Sequence, residues 1–141
     1  MVFVFDLDDT LFPEREFLLS GFRAVDAYLA ASGAAPGFYE MAAILLKDGL
    51  RQKIFDTALQ KLNANSSPES IQELVRVYRS HKPAIQLYPD ASWILERLWG
   101  KAQLGIITDG FLKTQQNKVA ALGIEGLFDC IVYSDSFGAA E

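Results

Sequence analysis

The first residues of the chain form a short apolar run that acids cut off. The run Val2–Phe5 is continuously apolar and rich in β-formers, and Asp6 follows it at once. A strand of this kind is typical of a parallel sheet and predicts burial on both faces. Because parallel strands need long crossovers, usually helical, this feature already favours an α/β fold.

Two later segments repeat the pattern. Residues 104–108 and Cys130–Tyr133 are apolar and β-rich, and we expect Cys130 to be a small core hydrophobe. Between them Leu112, Val119 and Leu122 share one helix face, and Gly123 suits the C-terminal cap. Strand, helix and strand in succession predict a βαβ unit.

The middle of the chain has helical rather than strand periodicity. Two apolar stripes stand out, and Ser67-Pro68 provides a start signal for the second; the stripes are Leu18, Phe22, Val25, Leu29 and Ile71, Leu74, Val75, Tyr78. This block is too long for a simple crossover. We therefore predict an inserted all-helical lobe at 14–86 and a core formed by 1–13 and 87–141.

The chemically informative residues follow the predicted strands. Asp6, Asp8 and Asp9 come directly after the first strand, at the end where open α/β sheets bind ligands. Two carboxylates about 4 Å apart repel by roughly 4 kcal/mol at an effective dielectric near 20. Protonation of one acid or a bound cation must offset this, and a site with only oxygen ligands favours Mg²⁺.

A hydroxyl and a flexible turn follow the second strand. Thr108, Asp109 and Gly110 precede a predicted helix, so a hydroxyl, backbone amides and a helix N-terminus together form a candidate anion site. Cation and anion sites at neighbouring strand ends indicate phosphoryl transfer, where positioning and charge neutralisation supply most of the catalysis.

These residues resemble the haloacid dehalogenase-like (HAD) superfamily, specifically its phosphatases. The run Phe5-Asp6-Leu7-Asp8-Asp9-Thr10-Leu11 is similar to the first motif of that family, D-x-D-x-T after an apolar strand. Ile106-Ile107-Thr108-Asp109-Gly110 resembles the second motif, and the helical lobe stands where many members carry a cap. The resemblance implies a Rossmann-like parallel sheet core, incomplete here, with an inserted helical cap.

The resemblance also implies a mechanism. Asp6 would be the nucleophile that forms an aspartyl-phosphate, and Asp8 the general acid and base. Mg²⁺ would bind the carboxylate of Asp6 and the backbone carbonyl of Asp8, while Thr108, Asp109 and Gly110 would hold the phosphoryl group. The implied activity is Mg-dependent hydrolysis of a small phosphorylated metabolite, such as a sugar phosphate, a nucleotide or a phosphoglycolate-like compound.

The chain departs from the family pattern at its end. In the family a lysine follows the segment that resembles 132–138, and a further strand then ends in acids that complete the metal site. Neither precedes Glu141, so we expect a truncated chain whose first strand is an unpaired apolar edge and could drive self-association. Lys113 and Lys118 are interpreted as solvated helix residues, and His81 as a surface residue at a helix end.

Composition limits the partners. The net charge is -5 and the basic residues are scattered, which argues against nucleic acid and against an anionic membrane surface. The single cysteine and the lack of a long apolar segment favour a cytoplasmic protein. Two alternatives remain open: a non-catalytic fragment that needs its missing C-terminal part or a partner, and a receiver-type signalling domain, which the long helical block disfavours.

Overall fold

The computed structural model describes residues 1–137. Within them, three strands and six α-helices confirm the predicted α/β class. The strands are β1 (Val2–Phe5), β2 (Gln103–Thr108) and β3 (Cys130–Tyr133); the helices are α1 (Glu14–Ala31), α2 (Phe38–Lys47), α3 (Ile54–Lys61), α4 (Pro68–Ser80), α5 (Pro89–Leu98) and α6 (Leu112–Leu122). Gly138 and Glu141, which the sequence argument used to locate the expected lysine, lie outside the described residues.

The three strands form one parallel sheet in the order β1-β2-β3. Phe5 is opposite Ile106, and Thr108 is opposite Tyr133. The helix α6 joins β2 to β3, which is the predicted βαβ unit. Because the strands are parallel, their carboxyl ends lie at the same edge, so the residues after β1 and after β2 are neighbours.

The two faces of the sheet differ in burial. Leu104, Ile106 and Thr108 of β2 are buried, but Val2 and Val4 of β1 are 61% and 57% exposed. The register places Val2 and Val4 on the same face as Ile107 and Cys130, which are also exposed. We call Val2, Val4, Ile107 and Cys130 the open sheet face.

This burial corrects two predictions. The strand β1 is not buried on both faces, and Cys130 is not a core residue, because nothing in residues 1–137 covers the open sheet face. The expected edge is present: within the described residues β1 pairs only with β2.

Two helix ends show the local sequence signals expected of them. Ser67 caps α4 by accepting a hydrogen bond from the backbone amide of Ser70 at 3.3 Å, and Gly123 ends α6 with φ of 68°. The sequence analysis did not delimit α2. That helix is apolar around most of its surface, and it follows Gly37 without a capping side chain, so neither a stripe nor a start signal marks it.

The chain divides into two compact units. One comprises Met1–Phe17 and the chain from Lys82 onward, and the other, which we call the helical unit, comprises Leu18–His81. These limits lie a few residues inside the predicted lobe 14–86. The core of the helical unit contains the predicted stripe residues Phe22, Val25 and Leu74 together with Phe38 of α2.

His81 is not the surface residue that we expected. It is partly buried in the helical unit, and its Nε2 lies 3.1 Å from the hydroxyl of Ser20. The pair joins α1 to the end of α4, which gives this histidine a structural explanation.

None of the helices within residues 1–137 is long and apolar enough to cross a bilayer.

Candidate functional site

The first candidate, Asp6, lies at the surface directly after β1. Its Oδ1 accepts a hydrogen bond from the amide of Leu7 at 2.7 Å. Its other carboxylate oxygen, Oδ2, has no hydrogen-bond partner within residues 1–137. Asp6 therefore has one carboxylate oxygen fixed by the backbone and one available to a ligand.

A tight turn separates Asp6 from the helix α1. The amides of Thr10 and Leu11 both donate to the carbonyl of Leu7, at 3.2 and 3.0 Å. Asp9 takes the left-handed conformation in this turn, with φ of 58°, and its Oδ1 accepts from the amide of Glu14, the first residue of α1, at 2.9 Å. Asp9 thus stabilises the turn and the start of the helix.

The second candidate, Asp8, is held by two donors from α6. Lys118 Nζ lies 2.7 Å from Asp8 Oδ1, and Gln115 Nε2 lies 2.9 Å from Asp8 Oδ2. The interpretation of Lys118 as a solvated residue is wrong, because this lysine is only 4% exposed. Lys113, by contrast, is exposed as expected.

Gln115 also connects Asp8 to Thr108. Its Nε2 lies 2.7 Å from Thr108 Oγ1, and both side chains are buried. Since an amide nitrogen can only donate, the threonine oxygen accepts, and the proton of its hydroxyl remains available for another acceptor. That is the donor state needed to bind a phosphoryl oxygen.

Gly110 allows Gln115 to approach this closely. Its φ is 123°, and a Cβ at this position would lie 3.1 Å from Cδ of Gln115. The backbone conformation therefore favours glycine, and a Cβ here would push the Gln115 side chain by a few tenths of an ångström.

The sequence analysis missed two residues that hold the loop after β2. Ser134 donates its hydroxyl to the carboxylate of the exposed Asp109, and Asp135 accepts from the amide of Leu112, the first residue of α6, at 2.9 Å. The sequence did contain a signal for them. Ser134 and Asp135 are polar residues directly after β3, just as polar residues follow β1 and β2. This arrangement occupies the first amide of α6, so that amide does not contribute to an anion site.

Tyr133, at the end of β3 opposite Thr108, is partly buried. Burial raises the pKa of its phenol above the ordinary value, and the nearby charge of Glu125 raises it further. The phenol therefore stays protonated at neutral pH.

The donor set for a cation is small. Residues 1–137 contain no group of three or more His, Cys, Asp or Glu side chains that could hold a metal ion. Lys118 and Gln115 each donate to one carboxylate oxygen of Asp8, whereas the carboxylate of Asp6 accepts one hydrogen bond, so Asp6 is the more open carboxylate of the two. One carboxylate with a backbone carbonyl fits Mg²⁺, which is usually held by one or two carboxylates, waters and substrate phosphates.

The comparisons with known proteins agree with this fold and with the family resemblance. The chain belongs to the haloacid dehalogenase-like hydrolase family, whose model matches residues 3–140. It is 32% identical over 142 residues to a glyceraldehyde 3-phosphate phosphatase from Methanocaldococcus jannaschii, a match that covers 96% of this chain and 62% of that protein. It is also 38% identical to the pyrimidine 5'-nucleotidase YjjG from Escherichia coli over 53 residues, which cover 38% of this chain and 24% of that enzyme. The chain thus spans less than two thirds of the length of both relatives.

Solved structures share the fold. One is the protein YfnB from Bacillus subtilis, solved bound to magnesium, with a TM-score of 0.62 at 17% identity. The match covers 97% of this chain and 64% of YfnB. The L-2-haloacid dehalogenase from Xanthobacter autotrophicus has a TM-score of 0.58 at 19% identity, covering 96% of this chain and 57% of that enzyme. At such identities the likeness is one of fold alone.

Proposed function

We propose that the chain carries the nucleophile, the acid-base residue and part of the metal and phosphate sites of a Mg-dependent phosphomonoester hydrolase. The observation that carries the proposal is the pairing of Asp6, with one open carboxylate oxygen, and Asp8, whose carboxylate is held by two donors. Thr108 lies at the end of the neighbouring parallel strand and supports a phosphate site. The match to a phosphatase along 96% of the chain supports the same reaction class.

The proposed reaction has two steps. Asp6 Oδ2 attacks phosphorus, the P–O bond to the leaving alcohol breaks, and Asp8 gives a proton to the departing oxygen. A water molecule then attacks the aspartyl-phosphate, Asp8 takes its proton, and the bond between phosphorus and Asp6 breaks to release inorganic phosphate. Thr108, with the amides of Asp109 and Gly110, holds the phosphoryl oxygens through both steps.

Mg²⁺ would neutralise negative charge on the phosphoryl oxygens and on Asp6. We propose Oδ1 of Asp6, which keeps an acceptor site beside its bond from the Leu7 amide, and the backbone carbonyl of Asp8 as its ligands from this chain, so that Oδ2 of Asp6 is left to act as the nucleophile. The magnesium found with YfnB supports this choice of ion.

The proposed substrate is a small phosphate monoester. The relative that matches most of this chain is named for a three-carbon phosphate, and the partial match is to an enzyme named for pyrimidine nucleotides. Glyceraldehyde 3-phosphate and a pyrimidine nucleoside 5'-monophosphate are therefore the first two compounds to compare.

We also propose that the protein is cytoplasmic.

Hydrolysis of an aryl phosphate by the full-length protein, with the site residues expected beyond Glu141, tests the reaction. We expect activity that requires Mg²⁺, disappears with a chelator and returns when the ion is restored. Asp6→Asn should abolish activity, because the amide is not a nucleophile. Asp8→Asn should lower kcat by about 10²–10⁴-fold, because it removes the base that activates water in the second step, which a good leaving group does not replace.

The control is Asp48→Asn, which makes the same chemical change at an exposed aspartate of the helical unit. It should leave activity unchanged. Full activity in Asp6→Asn would refute the nucleophile assignment, and activity that persists with chelator would refute the metal requirement.

A further inference from the structure

The helix α6 contributes two buried polar side chains to the site, and the reaction described above assigns neither of them a role. Lys118 and Gln115 are three residues apart, so they lie on the same side of the helix. Both are almost fully buried, at 4% and 2% exposure. Both donate to Asp8, Lys118 to Oδ1 and Gln115 to Oδ2.

A buried lysine requires a specific explanation. Lysine normally extends its ammonium into water, because removing an unpaired charge from solvent is costly. Here the ammonium lies 2.7 Å from a carboxylate oxygen, 4.5 Å from the ring centroid of Phe17 and 5.9 Å from that of Phe12. The charge is therefore stabilised by Asp8 and by two aromatic faces.

The geometry fixes the orientation of the Asp8 carboxylate. A single donor would leave the carboxylate free to turn about its terminal torsion, which has a broad energy minimum. Two donors at different oxygens, both from one helix, restrict that rotation. The two oxygens of a carboxyl group have about four lone-pair sites together, so two donors leave a site for the proton that Asp8 gives in the first step and regains in the second.

We infer that Lys118 and Gln115 are positioning residues, which aim the Asp8 carboxylate at the leaving oxygen of the substrate. The inference rests on the proposed function, because it gives Asp8 the role of proton donor. Neither residue is assigned a contact with the phosphoryl group. Gln115 has a second effect, since it also sets the donor direction of the Thr108 hydroxyl.

The dependence of rate on the leaving group tests the role of Lys118. A good leaving group, such as p-nitrophenolate, needs little protonation, whereas an alkoxide needs a well-placed acid. We expect Lys118→Met to lower kcat/KM for an alkyl phosphate by about 10²-fold or more, the scale of general acid catalysis. The loss for p-nitrophenyl phosphate should be several-fold smaller.

The matched control is Lys113→Met, the same substitution at an exposed position of the same helix. It should change neither rate. If Lys118→Met causes only a structural defect, kcat/KM should fall by the same factor for both esters. That result would overturn the inference and leave the proposed function intact. If the full-length unmodified protein hydrolyses neither ester, the proposed function fails and the inference falls with it.

A stability measurement tests the contact between Lys118 and Asp8, and it requires neither catalytic activity nor a bound metal ion. Urea unfolding of Asp8→Asn, Lys118→Met and the double variant forms a cycle. Asp8→Asn deprives the buried Lys118 ammonium of its carboxylate, and Lys118→Met leaves the part-buried Asp8 with Gln115 as its donor. Because both changes remove the same contact, the shift in the urea midpoint of the double variant should be smaller than the sum of the two single shifts. Additive shifts would show that Lys118 and Asp8 do not interact, which would also overturn the inference.

Discussion

At the scale of single residues, the turn after β1 depends on Asp9. This aspartate combines a left-handed backbone, with φ of 58°, and a carboxylate that accepts from the first amide of α1. Asparagine can satisfy both requirements, glycine only the first, and alanine neither.

The three substitutions at Asp9 should therefore rank in stability. Asp9→Asn should leave the free energy of unfolding nearly unchanged, and Asp9→Gly should lower it by about 1 kcal/mol through the lost cap. Asp9→Ala should lower it by about 2–3 kcal/mol, since the left-handed conformation adds roughly 1–2 kcal/mol. Urea unfolding measures this order, and equal stability of the alanine and asparagine variants would contradict it.

Gly110 and Gly123 offer a second comparison, because both have positive φ but only Gly110 is crowded. A Cβ at Gly123 would have no neighbour within 4 Å, so Gly123→Ala should cost about 1–2 kcal/mol and leave activity unchanged. Gly110→Ala should also displace Gln115 from Asp8 and Thr108, and activity should fall as well as stability. Equal activity of the two variants would argue against the network around Gln115.

Sequence patterns located the acids and Thr108 but not the residues that hold them. Strand ends can be recognised from apolar runs, and Asp6, Asp8 and Thr108 each follow or end such a run. Gln115 and Lys118 look like ordinary polar helix residues, although Gln115 falls at the helical spacing of the stripe that contains Leu112, Val119 and Leu122. The position of Gln115 within that apolar stripe could be interpreted only from the structure, in which two side chains of α6 bind Asp8.

At the scale of elements, α1 and α4 are in close contact at Gly21. A Cβ at this buried glycine would lie 2.2 Å from Cε2 of Tyr78, well inside contact distance. The small residue therefore sets how closely the two helices approach, and the adjacent pair of Ser20 and His81 joins the same helices.

Alanine at Gly21 should destabilise the protein, against the usual preference. In a helix interior, alanine is favoured over glycine by about 1 kcal/mol, but overpacking typically costs 1–3 kcal/mol. We expect Gly21→Ala to lower the free energy of unfolding of the unmodified protein. In a Tyr78→Leu background, which lacks the obstructing ring, the same change should raise it. Gly126→Ala, where no atom lies within 4 Å, is the neutral control; a stabilising Gly21→Ala alone would contradict the prediction.

At the scale of the whole molecule, the exposed sheet face was the largest departure from expectation. An apolar run indicates a strand, but it does not indicate which helices cover it, because coverage depends on residues far away in sequence. The β1 run was therefore correctly assigned as a strand and wrongly expected to be buried on both faces. Its edge position followed from family resemblance rather than from periodicity.

Within residues 1–137, the open sheet face is exposed and one edge of β1 is unpaired, and such a surface should promote self-association. We expect the sedimentation coefficient to rise with protein concentration, and Val4→Glu to suppress that rise because it puts a charge on the open sheet face. Ile44→Glu is a matched control, since Ile44 is similarly exposed but lies in the helical unit. A concentration-independent monomer would refute the prediction.

The chain has a single thiol, and it stands on this same surface. Cys130 can therefore report on this surface. A maleimide reagent should modify the protein at this one residue, and at the rate of a free thiol when the open sheet face is uncovered. Any polypeptide that covers the open sheet face, whether another copy or a foreign chain, should slow that alkylation, so mass spectrometry can follow the occupancy of this surface without any amino-acid substitution.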